Sequence, residues 1–350
     1  MPVDLPCLNR LSRAPADSDA AALPASEARR RLLRLALLGP AALGLAGLAG
    51  CSTGPGLQGS FLQPWQSHLS LSRTQWRRRM GEMHALGCRE VVLQWVGLYG
   101  GKDPDWRVPD EVLETIFETA GVQGMNVRVG LPFDNRWWAA LQQDPRGLQD
   151  FFTRSREEAL AFMASAPWPQ RRRFAGWYIP YELEQYHWAE PARQDLLCTW
   201  LQALSQGAQQ AGRGAPAMST YFSRLETQGT LRQLWSTILD RAQIRPMVQD
   251  GVGVAGWPNL SKVAPLIEML RERGVPFDVI IELFEELPSE KNDGTDFRAQ
   301  SADWARVQRQ LEWAAQTGAE HIVGFAVDPW VTNDDERARA LRRSWRRSYF

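Results

Sequence analysis

Hydrophobic positions along the chain follow two alternating rhythms. Short apolar, β-rich runs occur at 61–65, 90–98, 126–132, 174–179, 217–222, 243–248, 277–283 and 321–327. Between them lie segments with helical spacing, at 72–86, 109–120, 148–164, 191–211, 229–242, 260–273, 302–317 and 334–347. In the first, Trp76, Met80, Met83 and His84 recur three to four residues apart behind Ser72, which predicts an amphipathic helix with a serine cap. Several segments run into glycine, at Gly87, Gly212, Gly274 and Gly318, the expected helix stop. Eight strands alternating with eight helices match the count and length of a (β/α)8 TIM barrel, a single α/β domain over 60–350. An open doubly wound sheet would usually offer a glycine-rich phosphate loop after the first strand; Gln63-Pro64-Trp65-Gln66 stands there instead.

The first 51 residues do not share this rhythm. Arg29, Arg30, Arg31 and Arg34 open a cationic stretch, and 35–50 is an apolar run of Leu, Ala and Gly that ends in Leu48-Ala49-Gly50-Cys51. The run is shorter than the roughly 20 residues of a spanning helix, so 1–51 is expected to be a signal peptide. Its lipobox ends at Cys51, the expected lipidated residue, and 52–59 is a Gly/Pro/Ser linker. Arg29-Arg30 also resembles a twin-arginine signal, so export by a Tat-like or Sec route is expected. The expected location is periplasmic, lipid-anchored to the outer membrane, with membrane contact through the N-terminal lipid only.

Charge and cysteines narrow the function classes. Forty basic and forty acidic side chains leave no net charge to draw the chain to nucleic acid. Cys88 and Cys198 form neither a disulfide framework nor a metal pattern and are expected to be small buried residues. The histidines His68, His84, His187 and His321 make no metal-ligand motif. No metal and no cofactor is expected, and the protein is expected to be a monomer. All sixteen tryptophans follow residue 60; about two thirds are expected in the core, the rest being available as flat apolar faces.

Active sites of such barrels sit at the C-terminal strand ends. Those ends read Gln63 and Trp65; Gln94, Trp95 and Tyr99; Phe133 and Asp134; Tyr181, Glu182 and Glu184; Tyr221 and Phe222; Gln249 and Asp250; Glu282 and Phe284; Asp328 and Trp330. Amides, carboxylates and aromatics dominate, and the scarcity of basic groups argues against phosphorylated substrates. In "DVIIELFEEL", Glu282 shares a face with Ile280 and Phe284. A lone carboxylate in an apolar strand is costly unless it is paired or sits at a solvated site. In "GWYIPYELEQYHW", Glu182 is in phase with Tyr178 and Pro180, with Glu184 further out as a substitute. Carboxylates on the fourth and seventh strands face each other across a barrel mouth, as acid/base cleavage of a glycosidic bond requires. The bland alternative is that both pair with Arg128 or Arg245 inside the barrel. Of the remaining charged stretches, Arg171 to Arg173 read as a solvated bottom turn or a lipid-headgroup contact, the arginines of the last helix as an exposed face, and 285–296 as a polar acidic loop, a lid or a calcium-tolerant surface.

The layout resembles the large clan of retaining (β/α)8 glycoside hydrolases, whose catalytic pair is a glutamate on each of strands four and seven. It departs from that clan at Tyr181, where an Asn commonly precedes the strand-four acid and holds the sugar 2-hydroxyl. More closely, "FLQPWQ", "GWYIPYELEQYHW", "QDGVG", "IELFEE" and "GFAVDPW" resemble the bacterial family called domain of unknown function 4434, over residues 59 to about 335. That family is grouped with glycosidase-like barrels. The resemblance implies a sugar-active barrel, with Glu182 as acid/base and Glu282 as nucleophile by analogy with the retaining clan; the many aromatics suggest several sugar subsites, so an endo-acting glycoside hydrolase on a poly- or oligosaccharide is expected. Gln63, Gln94, Gln249 and Asp328 are expected to grip hydroxyls, Asp250 to tune a neighbour or bind a hydroxyl, and His187 to cap a loop or bind one. Trp65, Trp95, Tyr99, Tyr186, Trp188, Tyr221, Phe284 and Trp330 would line the mouth. The alternative is an inactive glycan-binding barrel lipoprotein of an envelope or export assembly.

Overall fold

Runs that are apolar on consecutive positions suit strands covered on both faces, as in a parallel sheet wrapped by helices. The computed structural model describes residues 56–288 and 298–348. The signal peptide, Cys51 and most of the acidic loop lie outside the described residues. Eight parallel strands form the barrel: β1 Gly59–Leu62, β2 Glu90–Leu93, β3 Asn126–Gly130, β4 Phe174–Leu183, β5 Ala217–Thr220, β6 Arg245–Gln249, β7 Asp278–Glu282 and β8 His321–Phe325. Each pairs with its successor, and β8 closes on β1 through Gly59 opposite Val323. The outer ring is α1 Arg73–Ala85, α2 Asp110–Val122, α3 Pro145–Ser165, α4 Pro191–Gln210, α5 Leu231–Leu239, α6 Asn259–Glu272, α7 Trp304–Gln316 and α8 Glu336–Arg347. Ser72 caps α1 by accepting from the Gln75 amide, and Gly87, Gly212, Gly274 and Gly318 follow their helices with positive φ.

The strands keep their expected places with shifted ends, and two of the differences shape the mouth. The run 90–98 breaks after Leu93, and Gly97–Tyr99 joins Trp106–Arg107 and Phe133–Asp134 in a small sheet beside the mouth. Gly97 permits this, since a Cβ there would lie 2.7 Å from the Trp106 carbonyl oxygen. β4 runs past its expected end to Leu183 by means of a bulge: Ile179 pairs with Met218, yet Leu183 pairs with Thr220. Two extra residues are absorbed where Pro180 has no N–H to give the ladder. Packing also begins ahead of residue 60, because Leu57 is buried.

The barrel interior is layered. At the strand starts, Arg128 binds Glu90 at 2.8 Å, and Arg245 binds Asp278 at 2.8 Å and Glu320 at 2.7 Å. Above them Phe61 packs against Tyr178 and Phe325, with centroids 5.2 and 5.6 Å away. Outside β4, Trp137 meets Tyr181, Trp188 and Trp200 between α3 and α4. Ten of the sixteen tryptophans are buried, in line with the expected core share, and so are Cys88 and Cys198. Trp137→Ala, at a fully buried position, is expected to cost about 3–5 kcal/mol. A urea titration would read this as a lowered midpoint, and an unchanged midpoint would show that the aromatic cluster is not holding α3 to α4.

Candidate active site

The bulge in β4 turns Glu182 into the barrel, where it is 6% exposed. Its Oε1 accepts from Gln249 Nε2 at 2.6 Å and from Ser219 Oγ at 3.5 Å. Burial outweighs these two donors and raises the carboxyl to about 7. Glu282 closes β7 in register with Phe325 and is 4% exposed. Its Oε2 accepts from the Gly253 amide at 2.6 Å, in the short helix Val252–Ala255 that follows β6. Burial first, and then the negative charge of Asp250, lift Glu282 to about 8 against the amides of Gly253 and Val254 and the charge of Arg306. Gln249 bonds Glu182 and lies in register with Ile280, two residues before Glu282.

Asp250 points the other way. It accepts from the amides of Val252 at 3.1 Å and Glu282 at 3.3 Å, and from Gln310 Nε2 at 2.6 Å. Gln310 and Arg306, both on α7, also donate to the Glu282 carbonyl at 3.1 and 2.8 Å. Asp250 thus clasps the ends of β6 and β7 together, and its charge bears on its neighbour Glu282. The bland pairing for the two glutamates does not occur, because Arg128 and Arg245 are engaged at the opposite end of the barrel. Neither Glu182 nor Glu282 has an ion-pair partner among the described residues.

The other expected residues divide. Gln63 Nε2 and Gln94 Oε1 are buried without a partner among the described residues, so both amides retain hydrogen-bonding capacity at the mouth. Trp65 and Tyr221 are half-buried, and Trp330 packs on Phe284 at 5.5 Å. Trp95 departs from its expected role. It is 1% exposed, donates to the Pro64 carbonyl at 2.8 Å and lies beneath Trp65, so it presents no free face. Trp188 and Phe284 are likewise buried in the core. Tyr99 lines a separate cavity of about 510 Å³ with Trp106 and Phe162, outside the residues that surround the glutamates. Tyr186 is exposed, edge-on to His187.

Glu184 and Asp328 are already committed. Glu184 accepts from the Tyr186 amide, from the His187 amide at 2.9 Å and from His187 Nδ1 at 2.6 Å, which fixes the turn after β4. Asp328 accepts from Arg79 at 2.9 Å and Thr332 at 2.7 Å and sits 3.4 Å from His68. Despite its burial, these partners hold its carboxyl below the usual range. Sequence reading missed Ser219, which period two from Ala217 would have pointed inward, and Gly253, visible only as part of a glycine-rich stretch. Arg306 and Gln310 had no local signal at all.

The comparisons agree with this architecture. A family model described as "Domain of unknown function (DUF4434)" matches residues 57–337. The uncharacterized protein YbcH of Escherichia coli (strain K12) is 26% identical over 210 residues, which is 57% of this chain and 66% of that protein. Among solved structures, a candidate alpha-L-fucosidase from Bacteroides thetaiotaomicron VPI-5482 superposes with a TM-score of 0.61 at 15% identity, covering 88% of this chain and 99% of that one. The endo-1,4-beta-mannanase of Rhizomucor miehei gives 0.54 at 9% identity, covering 84% and 95%. The endo-beta-1,4-mannanase of Thermotoga petrophila gives 0.52 at 14%, covering 84% and 77%. At these identities the likeness is one of fold: a barrel of the kind glycoside hydrolases use.

Proposed function

The chain belongs to the family described as Domain of unknown function (DUF4434), and from that premise we propose that it is a retaining glycoside hydrolase, endo-acting on a polysaccharide. The observation that carries this reading is the pair Glu182 and Glu282. Both are buried at the C-terminal strand ends, held by neutral donors and raised above the usual carboxylate range. Uncompensated buried carboxyls are costly to a fold and cluster at functional sites.

In the proposed reaction, protonated Glu182 donates to the leaving glycosidic oxygen while ionised Glu282 attacks the anomeric carbon. The C–O bond breaks and a glycosyl ester forms on Glu282. Glu182, now ionised, takes a proton from water, and that water's oxygen displaces Glu282 and restores both groups. Gln63 and Gln94 have the spare hydrogen-bonding capacity to hold sugar hydroxyls. Export, lipidation at Cys51, an outer-membrane location and a monomeric state complete the proposal, on the sequence signals alone. Screening wild type and the Glu182→Gln and Glu282→Gln variants on a panel of bacterial polysaccharides tests it. Sugar release by wild type only is expected. Release by all three would remove the mechanism, and binding without release by wild type would favour the inactive glycan-binding reading.

Its pH dependence follows from the two shifts. The reactive form has Glu282 ionised and Glu182 protonated, with the carboxyls raised to about 8 and about 7. Activity is therefore expected as a bell with its maximum between those values, limbs belonging to the pair, and only a minor fraction of enzyme in the reactive form. Asp250→Asn removes a negative charge that opposes ionisation of Glu282. Glu282 then ionises at lower pH, so the alkaline limb, set by the higher of the two values, moves to lower pH and the maximum rises. A kcat/KM profile checks this, and an unmoved limb would detach Asp250 from the chemistry.

A further inference from the structure

We propose that the end of the barrel opposite the mouth is a docking surface for an anionic phospholipid bilayer, which turns the mouth away from the membrane. The proposal goes beyond the glycosidase reading and stands on a separate observation. The formal net charge is zero, yet the charges are sorted along the barrel axis. The described turns that lead from each helix back to the next strand hold seven arginines against two acidic residues, Asp240 and Glu320. Arg171, Arg172 and Arg173 precede β4, and four other turns hold Arg89, Arg213, Arg241 and Arg273. Helix α8 ends at the same level with Arg346 and Arg347. At the mouth, the described strand-to-helix connections hold fourteen acidic residues against Lys102, Arg107, Arg136, Arg224 and Arg298, and those after β4, β6 and β8 hold no lysine or arginine.

The protein neutralises this basic end incompletely. Arg171, Arg241 and Arg273 meet Glu114, Asp195 and Asp240. Arg173 and Arg89 donate to the carbonyls of Gly124 and Cys88, at 2.8 and 2.9 Å, which leaves their charge uncompensated. Arg172, Arg213, Arg346 and Arg347 are exposed and have no acidic partner among the described residues. Arg213 stands at φ 78° between Gly212 and Gly214, both also at positive φ. A residue with a Cβ is uncommon there. The turn nonetheless holds a guanidinium out to solvent where glycine would cost less.

The chain also enters the barrel at this end, with Leu57 buried and β1 starting at Gly59. Cys51, the proposed lipid site, lies eight residues earlier in the sequence, at most about 30 Å of extended chain. An anchor of that length keeps the basic end close to the bilayer, where the attraction of an anionic leaflet decays over about 8 Å. Each arginine that reaches that layer favours the docked orientation roughly fivefold.

Hydrogen–deuterium exchange on the full chain tests this. The chain would be purified as the cell processes it and reconstituted on phosphatidylcholine vesicles with or without phosphatidylglycerol, and intact mass would report lipidation separately. The turns 166–173 and 211–216 are expected to exchange several-fold more slowly on the anionic vesicles alone, while 184–190 is unchanged. The protection is expected to vanish at about 1 M salt, where screening shortens to about 3 Å. It is also expected to vanish in a variant combining Arg172→Glu, Arg213→Glu and Arg347→Glu, three exposed positions away from core and mouth. Equal exchange on both vesicle types overturns the proposal. Protection by inorganic phosphate without vesicles, or by RNA, overturns it too, because the arginines would then serve a free anion or a nucleic acid. Glu282→Gln is expected to dock as wild type does, so loss of the hydrolase reading would leave this result unchanged.

Discussion

Glu282→Gln is expected to abolish sugar release and to stabilise the fold. The loss should be at least about a thousandfold in kcat, because an amide cannot form the glycosyl ester. Glu182→Gln, which removes the proton donor, should lose about 10²–10⁴-fold. The stability effect has the opposite sign. Glu282 ionises near 4.5 when unfolded and near 8 when folded. The unfolded state therefore gives up its proton first, and the carboxyl's contribution is lost progressively as pH rises from about 4.5 to about 8. Glutamine has no such dependence. At pH 8.5 the variant is expected to be more stable than wild type by an amount on the order of 3 kcal/mol, with little difference at pH 4. Thermal unfolding at the two pH values reads this. A variant that loses activity and stability together at pH 8.5 would mark Glu282 as a structural residue.

Gly253→Ala is the second large effect, and it removes no chemical group. A Cβ at this position would lie 2.3 Å from the Phe284 carbonyl oxygen, 2.8 Å from Glu282 Oε2 and 3.1 Å from Glu282 Cβ. The Phe284 carbonyl is bound by Arg306 and does not give way easily. The strain therefore falls on the backbone of Val252–Ala255, which must move off the Phe284 carbonyl and so carries the Gly253 amide out of place against Glu282. Misplacement of a reacting group by about 1 Å costs about 10²-fold, so kcat should fall by that order while KM changes little. The fold should lose about 1–3 kcal/mol from overpacking. Assays well below the melting temperature separate the two effects. Activity within about twofold of wild type would show that the site tolerates a displaced Glu282.

The barrel was legible because each strand is covered on both faces, so runs such as Val91 to Leu93 and Val279 to Ile281 are apolar without interruption. Glu282 stood out for the same reason, as a carboxylate directly after the apolar run Val279 to Ile281. Glu182 was harder to place. Pro180 sits in a bulge that inserts two residues, and the phase beyond it depends on a backbone path that period two does not encode. Aromatics just past a strand end were not separable by alternation. Trp65 is half-exposed, whereas Trp95, in a similar position one strand on, is sealed beneath it. The roles of Asp250 and Asp328 depended on Gln310 and Arg79, 60 and 249 residues away in sequence, and no local pattern signals such partners.

Once the panel identifies a sugar that wild type cleaves, trapping is the most direct measurement. The enzyme would be incubated with the 2-deoxy-2-fluoro glycoside of that sugar carrying an activated leaving group, digested, and its peptides weighed. A glycosyl adduct on Glu282, formed by wild type and absent from Glu282→Gln, is the predicted result. An adduct on another carboxylate such as Glu184, or none from an enzyme that turns over the parent sugar, would contradict it.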